Sequence, residues 1–126
     1  MQAKEEALRC AALAADKKAE DLTLLEVKGL SSLTDYLLIC IGRSDRQVQA
    51  IAENVRLEMK HQHGVVPLAV EGMNEGRWVL LDYGDVMVHV FQEPVRRFYD
   101  LDGLWAEAPQ IDIPNEYLGL PATPPA

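Results

Sequence analysis

The chain reads as a single α/β domain built on a mixed β-sheet, and three observations predict it. Helix-like and strand-like segments follow one another in the order α-β-β-α-β-β-β-α. Residues 36–41 (YLLICI) are a continuous apolar run of strand length, which suits a central strand covered on both faces. Two further strand-like runs, 78–82 and 86–91, are separated only by Tyr83, Gly84 and Asp85. That is a hairpin-length loop, so these two strands must run antiparallel.

The elements follow in order. Over residues 1–18, Leu8, Ala11, Ala12 and Ala15 recur at helical spacing, and alanine is the best helix former. The face is small and weakly apolar, so loose packing is expected of it. Residues 22–28 alternate as a strand, with Thr23, Leu25 and Val27 on one face and Leu22 and Leu24 starting the other. Residues 29–35, rich in Gly, Ser, Thr and Asp, form a loop before the central strand. Gly42 ends that strand. Ser44 and Gln47 then give the S-x-x-Q spacing of a capping box. Val48, Ile51, Ala52, Val55 and Met59 follow at helical spacing, and Gly64 is the natural stop. Residues 68–70 form a short strand, and 71–76 an acidic loop with Gly72 and Gly76. Within the hairpin, Trp78, Leu80 and Asp82 share one face, while Val79 and Leu81 share the other. Pro94 suits the first turn of a short helix through about Tyr99. Leu101, Leu104 and Trp105 cover the edge of the core. Five of the seven prolines lie beyond Ala106: Pro109, Pro114, Pro121, Pro124 and Pro125. The domain is therefore expected over 1–108, with 109–126 an acidic, flexible tail that does not pair as sheet.

Composition excludes several classes of function. The chain has 126 residues and a formal charge of −8. All 12 basic residues lie in 1–97, against 15 acidic ones, and the last 29 residues add five acids and no base. Direct nucleic-acid binding needs a basic stripe to meet phosphates, and none is present. A basic protein is the fitter contact for such a chain. No apolar run approaches the ~18 residues of a membrane span. Lys4, Glu5, Glu6 and Arg9 break up the start where a signal peptide would need an apolar stretch. A cytoplasmic location is expected. Cys10 and Cys40 lack CxxC spacing and are expected as separate buried thiols. His61 and His63 are two apart, which does not put them on one helical face, so no metal or other cofactor is expected.

The best contact candidate is the hairpin. Trp78 and Tyr83 are the residue types that anchor interfaces, and Asp82 and Asp85 can meet Arg or Lys of a basic partner. Leu81, Gly84 and His89 complete the candidate set. The competing reading makes Trp78 part of the core and lets the two acids merely shape the turn. His89, between Val88 and Val90, reads first as a partly buried, hydrogen-bonded histidine and only second as a contact. Asp35, Tyr36 and Arg46 form a secondary set that helps position the surface or caps its loops.

These motifs resemble a known family. The segments Lys18-Ala19-Glu20-Asp21, 29–36 (GLSSLTDY), Ser44-Asp45-Arg46-Gln47-Val48, 78–85 (WVLLDYGD), His89-Val90-Phe91 and 99–105 (YDLDGLW) are similar, in order and spacing, to the ribosomal silencing factors, RsfS or Iojap. The likeness runs from about Ala7 to Pro109. It implies a nucleotidyltransferase-like fold without transfer chemistry. It also implies binding to the fourteenth protein of the large ribosomal subunit, a block on joining of the small subunit, and repression of translation under nutrient limitation. Free members of the family tend to form homodimers. The alternative is a degenerate nucleotidyltransferase-type enzyme. Such enzymes need paired carboxylates for two metal ions. This chain has no Asp-x-Asp pair, and Arg43 interrupts its Gly42–Ser44 loop. A plain dimeric scaffold, joined through the hairpin, is a third reading.

Overall fold

The structure is a computed structural model that describes residues 1–121. Six strands form one mixed sheet in the order β3-β4-β5-β2-β1-β6. β1 (Glu20–Glu26) and β2 (Tyr36–Gly42) pair antiparallel, and β2 runs parallel to β5 (Val86–Gln92). β3 (Ala69–Glu71), β4 (Trp78–Asp82) and β5 form an antiparallel meander. The expected mixed sheet and its central strand are thus present: every residue of β2 is buried.

Two long helices lie on one face. α1 spans Ala3–Asp16 and α2 spans Asp45–His63. α2 starts at Ser44, whose side chain accepts from the Gln47 amide, and ends at Gly64 in the left-handed conformation. The reciprocal half of the cap differs from the simple box, because Gln47 Oε1 accepts from the amide of Arg43 rather than Ser44. Gln47 Nε2 donates to the carbonyls of Lys17 and Lys18, which ties the end of α1 to the start of α2.

The loose packing expected of α1 is not found. Ala7, Cys10, Ala11 and Ala14 are fully buried. Their small side chains let α1 approach α2 and the sheet closely, and Asn54 Nδ2 of α2 donates to the Leu13 carbonyl at 2.8 Å. Burial pushes the thiols of both Cys10 and Cys40 up, Cys40 to about 12.

The tail also departs from expectation. After α3 (Glu93–Tyr99) and α4 (Leu101–Leu104), β6 (Gln110–Ile111) pairs with β1, and a 3-10 turn follows at Asn115–Leu118. Proline lacks a donor but keeps its acceptor: the Pro109 carbonyl takes the Glu26 amide at 2.9 Å. Ile111, Ile113 and Tyr117 then pack on the helix-side core, and Arg9 lies over the Tyr117 ring at 5.3 Å. Residues 109–111 therefore close the β1 edge, and Ile113 and Tyr117 continue onto α1. Pro124 and Pro125 lie outside the described residues.

The sheet carries two cores. The larger joins α1 and α2 to Leu24, Leu38, Cys40, Val79, Leu81, Val86, Val88 and Val90. The smaller, on the opposite face, contains Leu25, Val27, Leu37, Ile39, Phe91 and Ala108, with Trp78, Met87, Val95, Leu101 and Trp105 packed at its margin.

Candidate functional site

Strand register decides which hairpin residues reach the surface. Trp78 pairs with Phe91, Leu80 with His89, and Asp82 with Met87. These six side chains share the face opposite α1 and α2. β3 extends the same face, since Ala69 sits beside Asp82 and Glu71 beside Leu80. α3, α4 and the following turn cover part of it through Val95, Leu101, Trp105 and Ala108. Neither core reaches Leu80, Asp82, Ala69 or Glu71. Leu80 and Asp82 are half-buried there, while Ala69 and Glu71 are exposed.

Trp78 stands at the border between the covered and open parts. Its ring stacks on Phe91 at 4.8 Å and meets Tyr99 of α3 at 4.7 Å. Its Nε1–H donates to His89 Nδ1 at 3.0 Å. His89 is buried, and burial alone lowers its pKa to about 4. The imidazole is therefore neutral at physiological pH and able to accept this bond. Three groups thus hold the indole in one orientation, with part of its surface still open.

The hairpin turn is fixed from both sides. Gly84 takes φ +87°, and its amide donates to Asp82 Oδ1 at 2.8 Å. The Tyr83 amide donates to the Val86 carbonyl. Beneath the turn, the amides of Asp35 and Tyr36 both donate to the Asp85 carbonyl at 3.0 Å. The Asp85 side chain is left exposed. Glu6 of α1 lies near it, and burial together with the Asp85 charge raises the Glu6 carboxyl. The other end of β4 is anchored by Gly72, at φ +81°, where an added Cβ would sit 2.0 Å from the Trp78 carbonyl oxygen. Gln92 bonds to Asp45 and to the Gly76 carbonyl, which fastens this loop to the start of α2.

Several expected contact residues are placed otherwise. Leu81 is fully buried under the long helices. Tyr83 is 9% exposed, belongs to the same core, and its hydroxyl is buried with its pKa pushed up by desolvation. Both therefore support the surface from behind. His89 is the buried, hydrogen-bonded histidine that its apolar neighbours suggested, and it orients Trp78. Tyr36 is buried, and Asp35 acts through its backbone on the turn. Arg46 is exposed on the first turn of α2, near the opposite end of β2 from Asp35 and Tyr36. What remains outward on the open face is a strip along β4, Trp78, Leu80 and Asp82, bordered by Glu71; Asp85 is exposed beyond it at the hairpin end, on the side of Glu6. Leu80 was legible from the two-residue period of the strand; Glu71 and Tyr99 needed the register and the path of α3.

Other chemistry finds little footing. Among the described residues, no group of three or more His, Cys, Asp or Glu is placed to hold a metal ion. Arg43, beside the α2 N-terminus, is paired bidentately with Glu20 at 2.6–3.1 Å. No helix of the described residues is long and apolar enough to cross a membrane.

Comparisons with known proteins agree with the motifs. Residues 1–124 match the family model described as ribosomal silencing factor during starvation, so the match extends past Pro109 into the tail. The ribosomal silencing factor RsfS of Bacillus subtilis is 47% identical over 103 residues, covering 82% of this chain and 86% of that protein. The chloroplastic protein Iojap of Arabidopsis thaliana is 36% identical over 110 residues, covering 87% of this chain but 45% of that protein. A crystal structure from Chromobacterium violaceum superposes with a TM-score of 0.81 at 37% identity, covering 84% of this chain and 88% of that one. Another, from Bacillus halodurans, gives 0.76 at 40% identity, covering 86% and 98%. The chain belongs to the ribosomal silencing factor family, a ribosome-associated group of translational regulators.

Proposed function

We propose that this protein binds the large ribosomal subunit through that subunit's fourteenth protein, and that it does so with the open strip of β4. Binding there keeps the small subunit from joining and lowers translation when nutrients are short. The protein acts in the cytoplasm, as a binding factor without catalysis or cofactor. When free it pairs with a second copy of itself. The observation that carries the reading is the Trp78 strip: a preorganised indole, a half-buried leucine and a row of carboxylates on the one sheet face that the chain's own helices leave partly uncovered. An aromatic anchor held in one rotamer loses little entropy on docking. Glu71 and Asp82 along the same face, with Asp85 exposed at the hairpin end, fit a basic protein surface and repel RNA phosphate.

The test is subunit joining followed by light scattering. Purified protein is mixed with large subunits before small subunits are added. Fewer joined particles are expected, in proportion to the protein added up to saturation. Normal joining in excess protein contradicts the proposal. Magnesium-dependent nucleotide turnover would favour the enzyme alternative instead.

A further inference from the structure

Helix α3, which leads into the motif at 99–105, carries the most exposed aromatic among the described residues. Phe98 on α3 is 81% exposed and Tyr99 is 53% exposed. Their rings meet edge to face at 5.1 Å. With Pro94 and Val95 they line a shallow cleft of about 440 Å³, flanked by Glu75 and Arg77. Tyr99 is also the ring that touches Trp78 at 4.7 Å, so the cleft continues the β4 strip without a break.

The cleft is built on a fixed base. Arg96, on the same short helix, donates to the Asp21 carbonyl at 2.7 Å, to Thr23 Oγ1 at 3.0 Å and to both carboxylate oxygens of Asp102. Asp100 turns the chain at φ +48° and caps α4 through the Gly103 amide. A largely enclosed arginine and a turn at positive φ therefore hold α3 against β1, while Phe98 and much of Tyr99 stay exposed. Two exposed aromatics on a rigid corner are costly to leave in water unless something covers them.

We propose that this cleft is a second contact for the ribosomal partner, and that it takes an apolar segment of a basic protein of the large subunit. The inference rests on the β4 strip being the docking face. Charge selects the occupant. A second copy seated on the cleft would bring its own Glu71 and Glu75 toward those of the first, with only Arg77 of the lining to offset them, which disfavours pairing of two copies through this cleft. A basic protein gains on both counts, because its cationic residues meet the acids while an apolar segment covers Phe98 and Tyr99. The described part of the chain's own tail is committed elsewhere, since Ile113 and Tyr117 pack on the α1 side.

The experiment measures the affinity of fluorescently labelled protein for purified large subunits at several salt concentrations. Phe98→Ala removes the ring without touching a core residue and is expected to weaken binding about tenfold, the loss of one interface anchor, with the salt slope unchanged. Phe98→Leu should recover most of that loss. Glu71→Lys with Asp85→Lys, both exposed, should weaken binding and flatten its salt dependence, because those residues act through charge. If the lysine variant weakens binding and Phe98→Ala leaves it unchanged, the cleft is not a contact and this inference falls alone. If neither variant changes affinity, the docking face itself is wrong. A change of oligomeric state on Phe98→Ala, with subunit binding intact, would mean that a second copy covers the cleft, which also overturns the proposal.

Discussion

The two faces of the sheet are made from the same strands and have opposite fates. On one, α1 and α2 cover Val79, Leu81, Val88 and Val90 so fully that each is 0% exposed. On the other, two short helices and a turn cover only part of the sheet, and Trp78, Leu80 and Asp82 keep some surface. Neighbouring residues of β4 thus differ in kind: moving one position along the strand exchanges a core residue for a candidate contact. The apolar face stabilises the fold by burial, while the mixed face offers rigid aromatic and acidic groups on a surface that stability does not require to be closed.

The largest effect that follows is on stability, from Leu81. Leu81→Ala removes a fully buried side chain and is expected to cost about 2–5 kcal/mol in urea unfolding. Leu80→Ala, one residue away, is expected to cost less than about half as much, because its side chain is only partly buried. Equal losses would erase the distinction between the faces.

A pH effect sharpens the comparison next. Burial lowers the folded pKa of His89 to about 4, against an unfolded value near 6.5. Between those values the unfolded chain binds the extra proton. This residue's contribution to stability is therefore full above about pH 6.5 and is lost as pH falls toward about 4. The effect is on the order of 3 kcal/mol at its limit. His89→Phe should make the urea midpoint less sensitive to pH across that window. The same variant frees the Trp78 N–H, so indole fluorescence should change at neutral pH even where stability does not. An unchanged pH profile would mean that His89 is not held neutral by burial.

The smallest effect concerns the sheet edge. Ile111→Lys places a charge where the tail packs on the helix-side core, and a loss of about 1 kcal/mol is expected with faster amide exchange in β1. Unchanged exchange at Glu26, whose amide is bonded to Pro109, would show that the tail does not close that edge.

Much of this was legible in the sequence. The apolar run of β2, the capping residues Ser44 and Gln47 and the Gly84 turn each act through local chemistry, so spacing revealed them. The contact set was read less well because it depended on which side of the sheet faces the long helices. Aromatic and acidic residues at the hairpin pointed to an interface, but Leu81 and Tyr83 belong to the core side, and only the register separates them from Leu80 and Asp82. Alanines made α1 look weakly packed, although small side chains are what permit its close approach. The prolines of the tail suggested an unpaired segment, yet Gln110 and Ile111 between them keep their donors, and Pro109 keeps its carbonyl.

The central claim is that the open face, not the helix face, meets the ribosome. The most direct measurement introduces the same charge on each and follows subunit joining by light scattering. Leu80 is half-buried on the open face, and Leu57, at 37% exposure, lies on α2. Both variants are first confirmed as folded by circular dichroism. Leu80→Glu is expected to lose the block on joining, while Leu57→Glu still prevents it. Loss of the block in Leu57→Glu with Leu80→Glu fully active would contradict the account.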